Sequence, residues 1–335
     1  MDIDADRFYS PSLSYRKHMK YQLFRFAKGG KQATGMLVND KHFDLNGLSV
    51  AMAMPTLANQ SIDALLEDWS GSHLLLKELA KTVAGDSARA SGSQLEAQVM
   101  HFKAPLGRPG VIYAAGANYR DHVEAMGRAF NMKLVLDPKA EGVDPWHFIK
   151  AGRGTLSGHG ESVAFPPHTQ KLDWEAELAV VIGKTASKVS VGDALSYVAG
   201  YSCANDLSAR DNLTRAQVDQ SSPFRFDWIG HKCFTGACPV GPYLTPAEFV
   251  TSPESLGIKL WVNDVLKQDS NTSNHLYGVA EQISYLSHRL DLYPGDILLT
   301  GTPAGVGMET GTFIAPGDVL KVWVEGLGEL KTQII

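Results

Sequence analysis

The sequence predicts a mainly β protein with some α, built on a mixed or antiparallel sheet assembly. Three observations point there. Short apolar runs bounded by Gly and Pro recur along the 335 residues, few segments carry helical spacing, and strands do not alternate with helices as a doubly wound parallel sheet requires. With 44% apolar and 20% charged residues, the chain has the composition of an ordinary soluble globular protein and can bury a real core.

The remaining bulk properties narrow the class. A net charge of −5, a pI near 6.1 and the lack of any Lys/Arg cluster disfavour nucleic acid as a partner. No run approaches the roughly 18 apolar residues of a membrane span. The N-terminus, M-D-I-D-A-D-R-F, lacks an apolar signal core. The cysteines Cys203, Cys233 and Cys238 are odd in number and have no metal-ligand spacing, so a reducing cytoplasm is expected.

In chain order, residues 1–18 read as a polar arm that is loose or docks on a neighbour. From Tyr21, alternating apolar and polar residues around Gly29-Gly30 and Asn39-Asp40 predict short strands joined by hairpin turns. Ile62 to Trp69 and His73 to Val83 carry helical spacing, with Leu74, Leu75, Leu76 and Leu79 on or near one face. The following G-D-S-A-R-A-S-G-S reads as a linker. The boundary between Gly85 and Pro105 therefore separates a small N-terminal domain, 19–104, from a larger one, 105–335. Beyond it, Val111 to Ala115 predicts a strand and Asn118 a helix cap, with the helix running through Met126. Arg128 to Pro145 lacks periodicity and reads as a long lid or binding loop. Strands are expected at Trp146–Lys150, Gly257–Val262, Asp296–Thr300 and Val319–Val324, with a helix at His275–Leu286.

The stretch Leu172 to Asp211 carries the chemistry. Glu175 and Glu177 leave the same face of a strand that becomes continuously apolar at Leu178 to Ile182. Glu-x-Glu is ordinarily the solvated side of an amphipathic strand. Here the same face continues into Ala179 and Val181, where two anions cost several kcal/mol each unless a cation compensates them. A third carboxylate, Asp206, ends the next apolar run, Tyr197 to Ala204, with Arg210 and Asp211 just after it. Three oxygen ligands without local Cys or His favour a hard cation such as Mg²⁺, Mn²⁺ or Ca²⁺.

Seven motifs together resemble the fumarylacetoacetate hydrolase superfamily from about Tyr21 to Ile335. They are G-A-N-Y-R-D-H (Gly116 to His122), F-I-K (Phe148 to Lys150), D-W-E-A-E-L (Asp173 to Leu178), N-D-L-S-A-R-D (Asn205 to Asp211), H-K-C-F (His231 to Phe234), Q-D-S-N-T-S (Gln268 to Ser273) and G-D-I-L-L-T-G-T-P-A-G-V-G (Gly295 to Gly307). The resemblance implies a mixed β-sandwich roll with a small N-terminal β domain, a homodimer, and Mg²⁺ or Mn²⁺ on Glu175, Glu177 and Asp206. It places the catalytic histidine at His122, and at Lys232 and Arg210 cations that bind substrate or stabilise an enolate; their other role is as counter-ions to the carboxylates. It also implies a substrate role for Tyr119, a position near the metal shell for Lys150, and at Thr300, Gly301 and Thr302 a loop for the substrate carboxylate.

The sequence departs from the family pattern in places. The glutamate often found three residues after the histidine is replaced by Ala125, while Glu124 sits about 100° away around a helix. A mobile lid can still bring Glu124 or Glu141 to His122. Leu213 replaces a substrate-contacting glutamine, which makes the pocket more apolar, Ala151 replaces a proline after Lys150, and the segment between Asp211 and Lys232 is long.

The activity the resemblance implies is metal-dependent hydrolysis of a C–C bond in a 2,4-dioxo acid of acylpyruvate or fumarylpyruvate type, in aromatic or sugar-acid catabolism. The alternative is an isomerase, tautomerase or decarboxylase of a 2-oxo dicarboxylic acid at the same metal site, favoured by Ala125. A third reading is a weakened paralogue that only binds a carboxylate.

Overall fold

The computed structural model describes residues 20–96 and 100–335, so the expected N-terminal arm at 1–18 lies outside the described residues. The described residues open with β1 (Tyr21–Lys28), β2 (Lys31–Val38) and β3 (Lys41–Asp44), an antiparallel meander whose turns fall at Gly29-Gly30 and Asn39-Asp40 as expected. Glycine and short Asn/Asp residues occupy these turns because all four positions have positive φ. Helices α1 (Ile62–Glu67) and α2 (Trp69–Gly85) pack behind the meander. In α2 it is Leu76, Leu79, Ala80 and Val83 that are buried. Leu74 and Leu75 face out, because the apolar stripe is narrower than the run of leucines suggested.

The expected linker is structured. Asp86 caps a helical turn, α3 (Ser87–Ala90), through Arg89 N–H, Gln94–Leu95 pairs with β3, and His101–Lys103 pairs with β1. The first module also joins the rest of the chain edge to edge, since β1 pairs antiparallel with β8 (Cys238–Pro246), setting Leu23 opposite Leu244.

Between these two strands in sequence come β4 (Ile112–Ala115), β5 (His147–Lys150), β6 (Ala176–Ile182) and β7 (Val198–Asn205). After β8 follow β9 (Gly257–Val262), β10 (Val265–Asn271), β11 (Ile297–Leu299), β12 (Val319–Val324) and β13 (Gly328–Ile334). The main sheet runs β3-β2-β1-β8-β7-β6-β11-β4-β5, and a short strand at Leu156–Ser157 returns from β5 to pair with β8, curling the sheet into a roll. A second sheet, β10-β9-β12-β13, packs on it. Pairing is mostly antiparallel, with β11 and β4 parallel, so the mixed-sheet expectation holds.

The continuous apolar run of β6 now has a reason. Leu178, Val180 and Ile182 enter the core shared with the second sheet, while Ala179 and Val181 enter the opposite core, shared with the N-terminal module. Glu177 leaves this second face, inside the roll. Downstream, α6 (Val279–Ser287) begins four residues later than the helix expected from His275. Helix α4 (Arg120–Phe130) forms where a helix was expected but runs past Met126 into the expected loop, and its cap is Tyr119. The Asn118 side chain is occupied elsewhere, accepting from Tyr277 N–H and donating to the carbonyls of Tyr277 and Thr300.

Candidate metal centre and catalytic site

Strands β6 and β7 lie side by side with Ala176 opposite Asn205, which sets the residues just beyond each end, Glu175 and Asp206, next to each other. Glu175, Glu177 and Asp206 are all buried and offer carboxylate oxygens within 4.8 Å of one another. Three cations offset them. Lys232 Nζ donates to Glu175 Oε2 and Asp206 Oδ2, each at 2.7 Å, and Lys150 Nζ donates to Asp206 Oδ1. Arg210 spans Asp173 Oδ2 at 2.8 Å and Glu175 Oε1 at 2.6 Å.

Every carboxylate but one thus has a cation. Among the described residues Glu177 receives only the Gly301 N–H, at 2.6 Å. Burial and the negative Asp206 and Glu175 beside it push its carboxyl well above the usual range. Burial also works to raise Glu175, but Lys232 and Arg210 outweigh it and hold Glu175 below the usual carboxylate range. The same anions raise Lys232 above an ordinary lysine in spite of burial. A buried three-carboxylate pocket with one anion left uncompensated fits a hard divalent cation such as Mg²⁺ or Mn²⁺.

The turn after β11 is shaped around this pocket. Gly301 has φ +103, and a Cβ there would stand 2.8 Å from Asn118 Cβ, so only glycine lets its N–H reach Glu177. This changes the expected anion loop. Gly301 N–H serves Glu177, and the N–H and hydroxyl of Thr300 both serve Leu178 O. Thr302 Oγ1 accepts from Gln268 Nε2 at 2.9 Å. Tyr119 is fully buried edge-on to His275, and its hydroxyl has no partner among the described residues.

His122, near the start of α4, is buried with Nδ1 2.8 Å from Glu309 Oε1. The carboxylate on the imidazole is therefore neither Glu124, which is half-buried, nor Glu141, which is exposed. Glu309 belongs to α7 (Gly307–Thr310), and its other oxygen accepts Gly305 N–H at 2.8 Å. The backbone N–H groups of Gly307 and Met308, which open α7, donate to Asp173 at 2.6 and 3.0 Å. Asp173 thus ties the carboxylate of the His122 pair to the arginine on Glu175. Sequence reasoning missed Glu309 and Asp173 in these roles. One signal for Glu309 was present, since it is the only charged residue between Asp296 and Asp318.

Fold and site together define a sheet-roll scaffold with a buried carboxylate pocket and an adjoining imidazole–carboxylate pair. The chain belongs to the fumarylacetoacetate hydrolase family, a superfamily of enzymes with hydrolase and isomerase members; residues 111–335 match the model of the fumarylacetoacetate hydrolase C-terminal domain. An uncharacterized protein of Staphylococcus aureus strain USA300 is 34% identical over 260 residues, covering 76% of this chain and 79% of that protein. Among solved structures, a fumarylacetoacetate hydrolase from Exiguobacterium antarcticum is similar over 94% of this chain and 99% of its own, at 26% identity and TM-score 0.71. A probable 2-hydroxyhepta-2,4-diene-1,7-dioate isomerase from Mycobacterium abscessus is similar over 94% and 98%, at 27% identity and TM-score 0.68. Maleylpyruvate hydrolase from Sphingobium sp. SYK-6, in complex with manganese(II) and pyruvate, is similar over 94% and 98%, at 27% identity and TM-score 0.66. Among the described residues no helix is long and apolar enough to cross a membrane.

Proposed function

We propose that the chain hydrolyses the C3–C4 bond of an acylpyruvate-type 2,4-dioxo acid, with Mg²⁺ or Mn²⁺ held by Glu175, Glu177 and Asp206. The observation that carries this reading is the His122–Glu309 pair beside the carboxylate pocket, since an imidazole oriented by a carboxylate is the arrangement that takes a proton from water. When bound, the cation supplies Lewis acidity toward a 2-oxo carboxylate and its enolate. His122 accepts the proton of the water that adds to C4, and Glu309 fixes the ring and offsets the imidazolium. Cleavage then gives a carboxylic acid and the enolate of pyruvate, which takes the proton back from His122 at C3. Lys232 uses two of its three N–H donors on Glu175 and Asp206, which leaves the third for the enolate. Arg210 acts as a counter-ion that orients Glu175, and Thr302 and Tyr119 offer hydroxyls to the substrate.

The alternative, isomerisation or decarboxylation of a 2-oxo dicarboxylic acid, drew its support from Ala125; Glu309 on His122 weighs against it. A homodimer, as the family resemblance implies, belongs to the same proposal. The test is loss of the enol absorbance of acetylpyruvate and fumarylpyruvate with Mg²⁺ or Mn²⁺, with products identified by mass. Metal-dependent pyruvate release that collapses in His122→Ala supports the hydrolase. Enol loss without bond cleavage overturns it.

A further inference from the structure

Beside the carboxylate pocket stands a wall of three aromatic rings, and we propose that it is the subsite for an aromatic acyl tail, so that aroylpyruvates are the substrate class. This rests on the acylpyruvate reading above and goes one step past it.

Two elements build the wall, and each pairs a ring with a lysine of the site. Along β5 and the residue before it, Trp146, Phe148 and Lys150 alternate onto one side. That side holds Lys150 against Asp206. On α5 (Trp228–Lys232), Trp228 and Lys232 are four apart and share a helix face, and Lys232 reaches Glu175 and Asp206. The rings pack on one another, with centroids 5.4 Å apart for Phe148 and Trp228, 5.0 Å for Trp146 and Trp228, and 5.7 Å for Trp146 and Phe148. Lys232 Nζ lies 4.8 Å from the Phe148 centroid. The wall therefore begins at the carboxylate pocket and ends at the surface, where Trp146 is 49% exposed.

Its form is fixed by packing. A Cβ on Gly116 would fall 2.0 Å from the Trp146 ring, so the indole lies directly on the glycine backbone. Two further apolar residues near Trp228 in the chain, Ile229 and Phe224, are exposed by 66% and 74%. Leu213, whose carbonyl accepts Asp227 N–H, stands at the base of the same helix.

The charges nearby are already committed. Lys150, Lys232 and Arg210 serve the carboxylates, Arg215 pairs with Asp227 at 3.2 Å, and Arg225 lies over the Phe226 ring and donates to Gln220 O. An acylpyruvate held by its C1 carboxylate and C2 oxygen carries its tail on C4, two carbons farther out. A tail directed along this wall meets aromatic surface, which suits an aryl group, and among the described residues no dedicated cation for a second carboxylate.

Two measurements test this. The first compares kcat/KM for benzoylpyruvate, acetylpyruvate and fumarylpyruvate with Mn²⁺. Benzoylpyruvate is expected to lead by at least about 10-fold, with the benzoyl-to-acetyl ratio falling by a similar factor in Trp228→Ala and in the milder Trp146→Phe. The second needs no turnover: quenching of indole fluorescence by 4-phenyl-2-oxobutanoate, which lacks the C4 carbonyl, against 2-oxoadipate. Tighter binding of the phenyl acid, lost in Trp228→Ala, supports the wall. Fumarylpyruvate as best substrate, or equal binding of both acids, overturns it while leaving the hydrolase standing. If no acylpyruvate is cleaved but the phenyl acid still binds through Trp228, the hydrolase fails and the aromatic subsite stands.

Discussion

His122 and Glu309 are 187 positions apart in the chain and meet with Nδ1 2.8 Å from Oε1. Glu309 is itself held by Gly305 N–H, so the imidazole sits at the end of a fixed chain of hydrogen bonds. Replacing Glu309 by Gln is expected to lower kcat about 100-fold or more while KM changes little, because the substitution alters the orientation and charge of the base and not substrate contacts. Glu124→Gln is expected to leave kcat near the wild-type value. Steady-state kinetics on the two variants decides between them, and equal losses would count against the Glu309 assignment.

Glu177 is the carboxylate without a cation, and burial makes its ionised form costly in the metal-free protein. Glu177→Gln keeps the shape and the oxygen that accepts Gly301 N–H. The variant is expected to melt at or above the wild-type temperature without metal and to lose the rise in Tm that Mn²⁺ gives the wild type. Paired melting curves with and without Mn²⁺ check this.

Lys232 is the opposite case. Removing it as Lys232→Met leaves Glu175 and Asp206 facing each other with less compensation, and breaking such a buried pair typically costs about 3–5 kcal/mol. Metal-free Lys232→Met should therefore be destabilised by roughly that amount, with Mn²⁺ restoring a larger share of stability than it adds to the wild type. Denaturant titrations in both states measure the difference.

His147 supplies a pH signature away from the pocket. Burial pushes its imidazole down to about 4, against 6.5 for the free group, with the hydrogen bond to Gln282 only partly opposing. The folded ring stays neutral where the unfolded chain binds a proton. Stability is thus complete above 6.5 and is lost as pH falls toward 4, by on the order of 3 kcal/mol from this group. His147→Gln should flatten that acid limb, as read by urea titrations at several pH values; an unchanged slope would assign the acid sensitivity to other groups.

The mixed sheet and the carboxylate triad were legible because they sit in local patterns, whereas Lys150 and Lys232 were legible only through the family resemblance. Alternation marked β1 to β3, and a charged pair entering the apolar run of β6 marked Glu175 and Glu177. Glu309 was not legible by periodicity, since its meaning depends on a contact between α7 and α4 that no local spacing encodes. Asn118 looked like a helix cap because Asn prefers that position, yet tertiary contacts to Tyr277 and Thr300 claimed its side chain. The segment after Gly85 looked like a linker on composition, and strand pairing with β1 and β3 overrode that.

The pairing of β1 with β8 bears on how the protein can be produced in pieces. A fragment trimmed to residues 105–335 would keep every candidate site residue but lose the strand that covers Tyr243 and Leu244. The N–H and C=O groups of β8 that β1 now satisfies would face solvent, beside apolar surface that packs against Leu23 and Met36 in the intact chain. A long bare edge next to a sticky face recruits strands from other molecules. Such a fragment would accumulate as aggregate, and the meander at the start of the chain acts as a built-in guard against that self-pairing.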